Sequence, residues 1–426
     1  MQYQEFLDHI YQRYSGNVKL ELSRMEGLLQ DMGSPQHTLK GFHVAGTNGK
    51  GSVCASLEAL SIAHGMKTGL NTSPHLINYT ERFRINGQEI SIQAIMDEFH
   101  ALEASFEKWD ASFFEITTAI AFSLFNKAAL DIAVMEVGLG GRLDATNLFT
   151  PDVGVITTIG LDHIKTLGGT VELIATEKAG IIKAGLPLVL GDIEESPLKI
   201  ILDAAAAQGA SSYVYGQSWG VKVRKDSTAG IEFNYSFGGY RIERLKTNLM
   251  GEHQALNLGA AITAFILYCQ KYHLPIEEDK IRAGISKINW AGRMQVLSRK
   301  PLIIVDGAHN VHGVKALMRT LERVFPGQKL IFVLSILADK DYSEMIHLFC
   351  GKAGQIFVAQ NKSDRAATAE AQLKAVAKYQ VSAKACDSVA AALQEAIQTS
   401  DEHSVIVAGG SLYTVGEVIS AFNANA

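Results

Sequence analysis

The stretch "FHVAGTNGKGSVCASLEAL", residues 42–60, limits what this chain can fold into more than any other. A short apolar run leads into a turn holding Gly46, Gly49 and Gly51 with Lys50, and a helix-forming run follows at once. Strand, loop and helix in that order gather backbone N–H groups and a helix N-terminus around one point, which makes an anion site. The common phosphate loop, G-x-x-x-x-G-K-[ST], brings its lysine later. Here Lys50 follows Gly46 by four positions, and the hydroxyl residue Ser52 comes only after Gly51. The physics is unchanged: glycines let the backbone close on phosphate oxygens, and lysine adds a mobile cation. A glycine-rich turn with a chance lysine would not also place a hydroxyl and a helix in sequence.

Runs of the same strand-like kind recur at "DIAVMEVG" (131–138), "VGVITTIG" (153–160) and "LPLVLGD" (186–192). They are short, β-branched and continuously apolar, as strands covered on both faces by helices are. Residues 211–247 instead alternate aromatic and polar residues around glycine turns, which predicts an antiparallel insertion. Helical patterning returns at 252–272 and near 276–287. The segment "INWAGRMQVLSRKP" (288–301) reads as a joint, and beyond it "LIIVDGAHN", "KLIFVLSILADKD", "QIFVAQNKSD" and "HSVIVAGGS" alternate with helix-like stretches. At 426 residues the chain exceeds one ordinary core. The expected architecture is α/β: an N-terminal P-loop-type ATPase domain with a mostly parallel sheet (1–292), then a smaller Rossmann-like α/β domain (293–426). A cleft between them is the natural place for a site built from both.

Composition removes other classes. A net charge of −5 argues against a nucleic-acid partner or a basic membrane surface. No apolar run approaches the ~18 residues of a membrane span. Cys54, Cys269, Cys350 and Cys386 lie far apart without a CxxC pair, so they read as buried thiols of a reducing compartment. The opening "MQYQEFLDHIYQRYSG" carries acids and no apolar core segment, unlike a secretory signal. A cytoplasmic protein is expected.

Next to a phosphate loop, Mg²⁺ needs oxygen ligands. Ser52 offers a hydroxyl, and Glu136 ends the strand-like "DIAVME". His163, in "GLDH" after the next strand, is a third candidate. Alone it would more often be a structural histidine; all three, however, fall at strand carboxyl ends or in the loops that follow, where open α/β sheets bind ligands.

"GTNGKGS" (46–52), "TSPHLINYTERFRING" (72–87), "EVGLGGRLDATN" (136–147), "GLDH" (160–163), "EKAGI" (177–181), "GR" (292–293) and "DGAHN" (306–310) occur in this order. Together they resemble the folylpolyglutamate synthase/dihydrofolate synthase family of the Mur ligase superfamily, over nearly the whole chain. The shortened loop is the form such ligases use. The resemblance implies an ATP-dependent amide ligase that makes an acyl phosphate from a pterin acid and hands the acyl group to L-glutamate. It also implies Mg²⁺, as two ions in the family pattern, and a monovalent cation as cofactors. The partners implied are small molecules only (dihydropteroate or a reduced folate, L-glutamate and ATP), acting on a monomer.

The same resemblance assigns roles. Lys50 and the loop Gly46, Thr47, Asn48, Gly49, Gly51 and Ser52 would hold the β- and γ-phosphates. Ser52, Glu136 and His163 match metal ligands. Lys178 matches a position often carbamylated, where CO₂ turns an ammonium into a carboxylate able to ligate a second Mg²⁺; this needs a neutral amine and hence a depressed pKa. An ordinary solvated lysine is the alternative. Arg82 and Arg84 lie in the stretch matching the pterin loop, and each either meets a substrate carboxylate or is solvated. Phe114, Asp144 and Ala145 match pterin-side contacts, with Phe113 assigned to the core. Asn257 and Arg293 match nucleotide contacts, Arg293 suiting the transition state because a guanidinium bridges phosphate oxygens. Asp306 and His309 approach from the second domain, as do Ser411 and Tyr413.

Two rivals stand beside this reading: a Mur enzyme acting on a UDP-sugar peptide, and a P-loop phosphotransferase or nucleotide-gated binding protein. The pterin-loop stretch speaks against the first, and Lys178, Arg293 and His309 against the second. "INYTERFRING" with Phe114, Asp144 and Ala145 resembles bifunctional bacterial members of the family, which implies both activities. One departure is that "GLDHIKTLGGT" lacks the acidic and tryptophan residues often found after the histidine in relatives, which puts that loop's detail in doubt.

Overall fold

The computed structural model describes residues 3–13 and 21–424. Of the opening segment, residues 1–2 and 14–16 lie outside the described residues, and Tyr3–Gln12 forms a helix. The first sheet has eight strands: β1 (Gly41–Ala45), β2 (Thr68–Asn71), β3 (Phe83–Ile85), β4 (Gln88–Glu89), β5 (Ile132–Glu136), β6 (Val153–Ile156), β7 (Leu188–Leu190) and β8 (Ser212–Val214). Their order is β4-β3-β2-β5-β1-β6-β7-β8, parallel from β2 to β8. The strands β3 and β4 add an antiparallel edge, turned by Asn86 and Gly87, both at positive φ as tight hairpin turns demand.

The centre of this sheet is dry because both faces are covered. Phe42 and Val44 of β1 point to one side, against Val53 and Leu57 of the helix Lys50–Ala63 and against Leu258 and Phe265 of Glu252–Lys271. Ala133 and Met135 of β5 point to the other, against Ile116 and Ile120 of Phe113–Lys127. The expected antiparallel insertion is a meander of β9 (Trp219–Ser227), β10 (Gly230–Phe237) and β11 (Tyr240–Lys246). It starts later than the patterning suggested. Ser212–Val214 joins β7 in parallel, being too short to show any period.

The second sheet comprises β12 (Gln295–Arg299), β13 (Leu302–Asp306), β14 (Lys329–Leu334), β15 (Ala353–Val358), β16 (Ser382–Ala385) and β17 (Ser404–Gly409), in the order β12-β13-β17-β14-β15-β16. Only β12 runs antiparallel, and it lies within the segment read as a joint. The other missed strand, β16, is half-exposed "SAKA" at the opposite edge, where no second sheet neighbour demands apolar residues. Helices cover both faces of this sheet through two separate apolar layers. Among the described residues, no helix is long and apolar enough to cross a membrane.

Candidate active site

Register aligns the working ends of the central strands. Val44 of β1 sits opposite Glu136 of β5, and Ala45 opposite Ile156 of β6. Three loops therefore leave the sheet at one level. Gly46 turns at φ 148, and a Cβ there would lie 1.9 Å from Thr157 Oγ1, so a side chain is excluded. Thr157 Oγ1 donates to the Asn48 carbonyl at 2.6 Å, and the Thr47 N–H donates to the Thr158 carbonyl at 2.8 Å, which staples the loop to the end of β6. The Asn257 carboxamide packs beneath Gly49. Lys50 Nζ curls back onto the Gly46 carbonyl at 3.1 Å, a contact that a phosphate oxygen can replace.

Glu136 is buried, and its carboxylate accepts from the Ser73 N–H at 3.0 Å. Burial pushes its pKa up; Lys50, Arg293 and Arg82 pull the other way. A buried carboxylate with one backbone partner, facing cations, suits a divalent ion. Ser52, in the first turn of its helix, and His163, at left-handed φ 49, line the same cleft. Among the described residues no three His, Cys, Asp or Glu side chains form a ligand cluster. The set fits Mg²⁺ all the same, because Mg²⁺ keeps waters and phosphate oxygens and needs few protein ligands. Lys178 is no solvated lysine. It is 4% exposed, donates from Nζ to the Gly46 carbonyl at 2.9 Å, and has its pKa lowered to about 7 by burial first and Lys50 second.

The second sheet supplies the opposite wall. Asp306 ends β13, and its carboxylate accepts from the Met294 and Ala308 N–H groups, both at 2.9 Å. It thereby fixes the turn carrying His309 and the segment carrying Arg293, both of which line the cleft. Between the walls runs a network that the sequence reading missed. Asn48 Nδ2 donates to Asn310 Oδ1 at 3.1 Å, and Asn310 Nδ2 donates to Asn48 Oδ1 and to Asp162 Oδ2, both at 3.0 Å. Asp162 also takes Lys340 Nζ and lies 3.4 Å from His309 Nε2. Burial alone would raise the Asp162 pKa; the His309 hydrogen bond and the charges of His309 and Lys340 outweigh it and hold the carboxyl well below its usual range. Asp162 and Asn310 stand in "GLDH" and "DGAHN", beside the histidines and Asp306 that the sequence points to. Lys340 had no signal of its own.

The residues matched to the acid side, Arg82, Arg84, Phe114, Asp144 and Ala145, do not themselves line this cleft, although Glu136, Gly138 and Leu139 do. Arg82 is 6% exposed, and Arg84 pairs with buried Glu58 at 3.0 Å, so neither is a solvated arginine. Phe113 is in the core, while Phe114 is half-buried and its ring lies over Gly138. Asp144 and Ala145 are buried; Asp144 accepts from the Leu139 N–H at 2.8 Å and the Thr146 N–H at 3.0 Å, which pins the turn between them. Ser411 does not line the cleft. It is buried under the last helix, Leu412–Ala424, where its hydroxyl accepts from the Thr414 N–H at 3.1 Å. Tyr413 is 43% exposed and is likewise outside the cleft lining.

A phosphate loop, a metal-ready carboxylate and a second α/β sheet closing over them define a ligase of the Mur type. The family model described as the Mur ligase middle domain matches residues 44–265, and that described as the Mur ligase glutamate ligase domain matches 292–412. The dihydrofolate synthase/folylpolyglutamate synthase of Escherichia coli is 33% identical, over 98% of this chain and 95% of its own. The solved Mycobacterium tuberculosis folylpolyglutamate synthase complexed with ADP superposes with a TM-score of 0.94, at 30% identity and 98% of both chains. A bifunctional folylpolyglutamate synthase/dihydrofolate synthase with Mn, AMPPNP and L-glutamate bound gives 0.86, at 33% identity over 99% of this chain and 97% of its own. The chain belongs to the folylpolyglutamate synthase/dihydrofolate synthase family of Mur ligases and is an ATP-dependent ligase.

Proposed function

We propose that this enzyme joins L-glutamate to dihydropteroate and, by γ-linkage, to reduced folates. The observation that carries the reading is the convergence of Gly46–Ser52, Glu136, Lys178, Arg293 and His309 on one cleft. Gly46, Thr47, Asn48, Gly49, Lys50, Gly51 and Ser52 hold the ATP phosphates, with Asn257, Arg293 and Asp306 completing the nucleotide side. A carboxylate oxygen of the pterin acid attacks the γ-phosphorus, the bond to the β-phosphate oxygen breaks, and ADP leaves. The glutamate amine then attacks the acyl carbon, the C–O bond to phosphate breaks, and inorganic phosphate departs. Ser52, Glu136 and His163 would hold Mg²⁺, which neutralises charge on the transferring phosphoryl group. Lys50 and Arg293 add donors where that charge builds up, and His309 serves the same site from the second domain. Arg82, Phe114, Asp144 and Ala145 form the acid side.

Several finer points belong to the same proposal. Lys178, once carbamylated, would hold a second Mg²⁺; its burial and lowered pKa favour the neutral amine that reacts with CO₂. A monovalent cation assists. The working units are 1–292 and 293–426, and the enzyme acts as a monomer. Its four buried free cysteines suit a cytoplasmic setting. Purified protein assayed side by side with dihydropteroate and tetrahydrofolate tests the substrate assignment: glutamate-dependent ADP release is expected with both. Release with neither, or without glutamate, overturns it. Oxygen-18 in the acid's carboxylate is expected to appear in inorganic phosphate.

A further inference from the structure

Gly51 is the glycine of the phosphate loop that its own backbone does not require. Gly46 and Gly49 turn at φ 148 and 88, where a side chain is strained. Gly51 lies in the first turn of the helix Lys50–Ala63 and has no positive φ. Glycine weakens a helix, and alanine at such a position would strengthen it. The reason for it lies elsewhere in the chain. A Cβ on Gly51 would stand 2.5 Å from Trp290 Cζ2, 2.9 Å from Cε2 and 3.0 Å from Nε1, and these are the three nearest atoms. The indole of the inter-domain joint is therefore seated directly on the phosphate-loop helix. Trp290 Nε1 is buried and makes no hydrogen bond among the described residues, so packing holds the ring there.

The chain reaches Gly51 along that same helix. The helix Glu278–Ser286 packs on it, a Cβ on Gly284 falling 3.0 Å from the Ala59 carbonyl oxygen. From there the chain advances toward the N-terminus of Lys50–Ala63, and Asn248 Nδ2 donates to the Ile288 carbonyl at 3.0 Å on the way. Three residues past Trp290, Arg293 is held from the other side. The Gly307 N–H donates to the Gly292 carbonyl at 2.8 Å, and the Met294 N–H donates to Asp306 at 2.9 Å. Gly292 and Met294, at φ 71 and 45, turn the chain on either side of Arg293. Arg293 thus takes its bearing on the second sheet from β13, and its bearing on the phosphate loop from Trp290.

We propose that Trp290 is a positioning residue: its indole, seated on Gly51, sets the distance between the phosphate loop and Arg293. This rests on the loop and Arg293 meeting the nucleotide, as set out above. Nucleotide binding draws mainly on the loop, whereas Arg293 serves charge that develops on the transferring phosphoryl group. A misplacement of about 1 Å at such a group lowers a rate by up to about a hundredfold. Unseating the indole therefore harms turnover more than it harms nucleotide binding.

Exchanging size across the contact gives the test. Gly51→Ala pushes the indole off its seat and is expected to lower kcat for glutamate-dependent ADP release about thirtyfold. Trp290→Leu makes room for that Cβ and is expected to lower kcat about tenfold, with calorimetric ADP affinity within about threefold of wild type. Trp290 is half-buried at the margin of its apolar layer, so leucine should be accepted. In the Trp290→Leu background, Gly51→Ala should then change kcat by less than about threefold, because no ring remains to be displaced. An equal loss from Gly51→Ala in both backgrounds overturns the inference, as does a fall in ADP affinity that matches the fall in kcat. Arg293→Met separates the sources of failure and leaves Trp290 in place. In that background too, Gly51→Ala should change kcat by less than about threefold. If Arg293→Met lowers kcat and Gly51→Ala still takes its full toll beside it, only the positioning role falls. If Arg293→Met leaves kcat unchanged, the nucleotide role of Arg293 falls with it.

Discussion

At the proposed phosphate end of the cleft, the loop comes from seven consecutive residues, Gly46–Ser52, and offers mainly backbone N–H groups. At the proposed acid end the residues come from segments far apart in the chain, and the charged ones meet other side chains: Arg82 with His75, Asp144 with Thr146, Arg84 with Glu58. Backbone geometry is dictated locally, by glycine and by the strand–helix junction, so it leaves a fixed spacing in sequence. Side-chain clamps leave none, because any residue of suitable reach can supply the partner. The contrast predicts that the phosphate end fails abruptly when a charge is altered, and that the acid end fails by degrees.

The sharpest test lies at Glu136. Glu136→Gln keeps the shape and the Ser73 contact but removes the charge a divalent ion needs, so glutamate-dependent turnover is expected to fall by about 10³-fold or more. Calorimetric ATP affinity should change far less. Unchanged turnover would take Glu136 out of the metal site and remove the distinction between the two ends. Lys178→Ala comes next, with an expected loss of about 10²-fold, partly regained on adding short carboxylic acids. Loss without rescue would argue for an ammonium acting as such, and no loss for a bystander.

This difference also marks what could be read from the sequence. The α/β alternation, the strands β1, β5, β6 and β7, and the phosphate loop were legible, since a strand buried on both faces must be continuously apolar and its loop must be glycine-rich. Edge strands β12 and β16 were not, because one open side relaxes that demand. The acid-side residues were reached only through the family resemblance. The inter-domain network escaped notice for a further reason: Asn48, Asp162, Asn310 and Lys340 are ordinary polar residues until the fold buries them together.

That network gives an intermediate effect. Asn310 both bridges to Asn48 and caps the helix Val311–Val324 by accepting from the Gly313 N–H at 2.8 Å. Serine keeps the cap but cannot span to the loop. Asn310→Ser is therefore expected to raise KM for ATP about tenfold with an unchanged melting temperature. A matching fall in melting temperature would mean that the bridge serves stability and not closure.

The smallest effect belongs to His43, which joins the two ends. Its strand runs into the phosphate loop, while its Nε2 lies 2.8 Å from Thr146 Oγ1, the hydroxyl bonded to Asp144. The ring is fully buried, Nδ1 has no partner, and burial lowers its pKa to about 3, with Lys183 adding to the effect. In the unfolded chain the same ring takes a proton near its ordinary value of 6.5. Between those values the unfolded state binds a proton that the fold refuses, so this group's contribution is complete above pH 6.5 and is lost as pH falls toward 3. One such proton is worth about 1.4 kcal/mol per pH unit. His43→Gln keeps a donor toward Thr146 but cannot titrate. Urea unfolding at about pH 7.5, 6 and 5 should then show the variant gaining on the wild type as pH drops. Parallel curves would mean that the ring titrates alike in the folded and unfolded chain, and that burial does not hold it neutral.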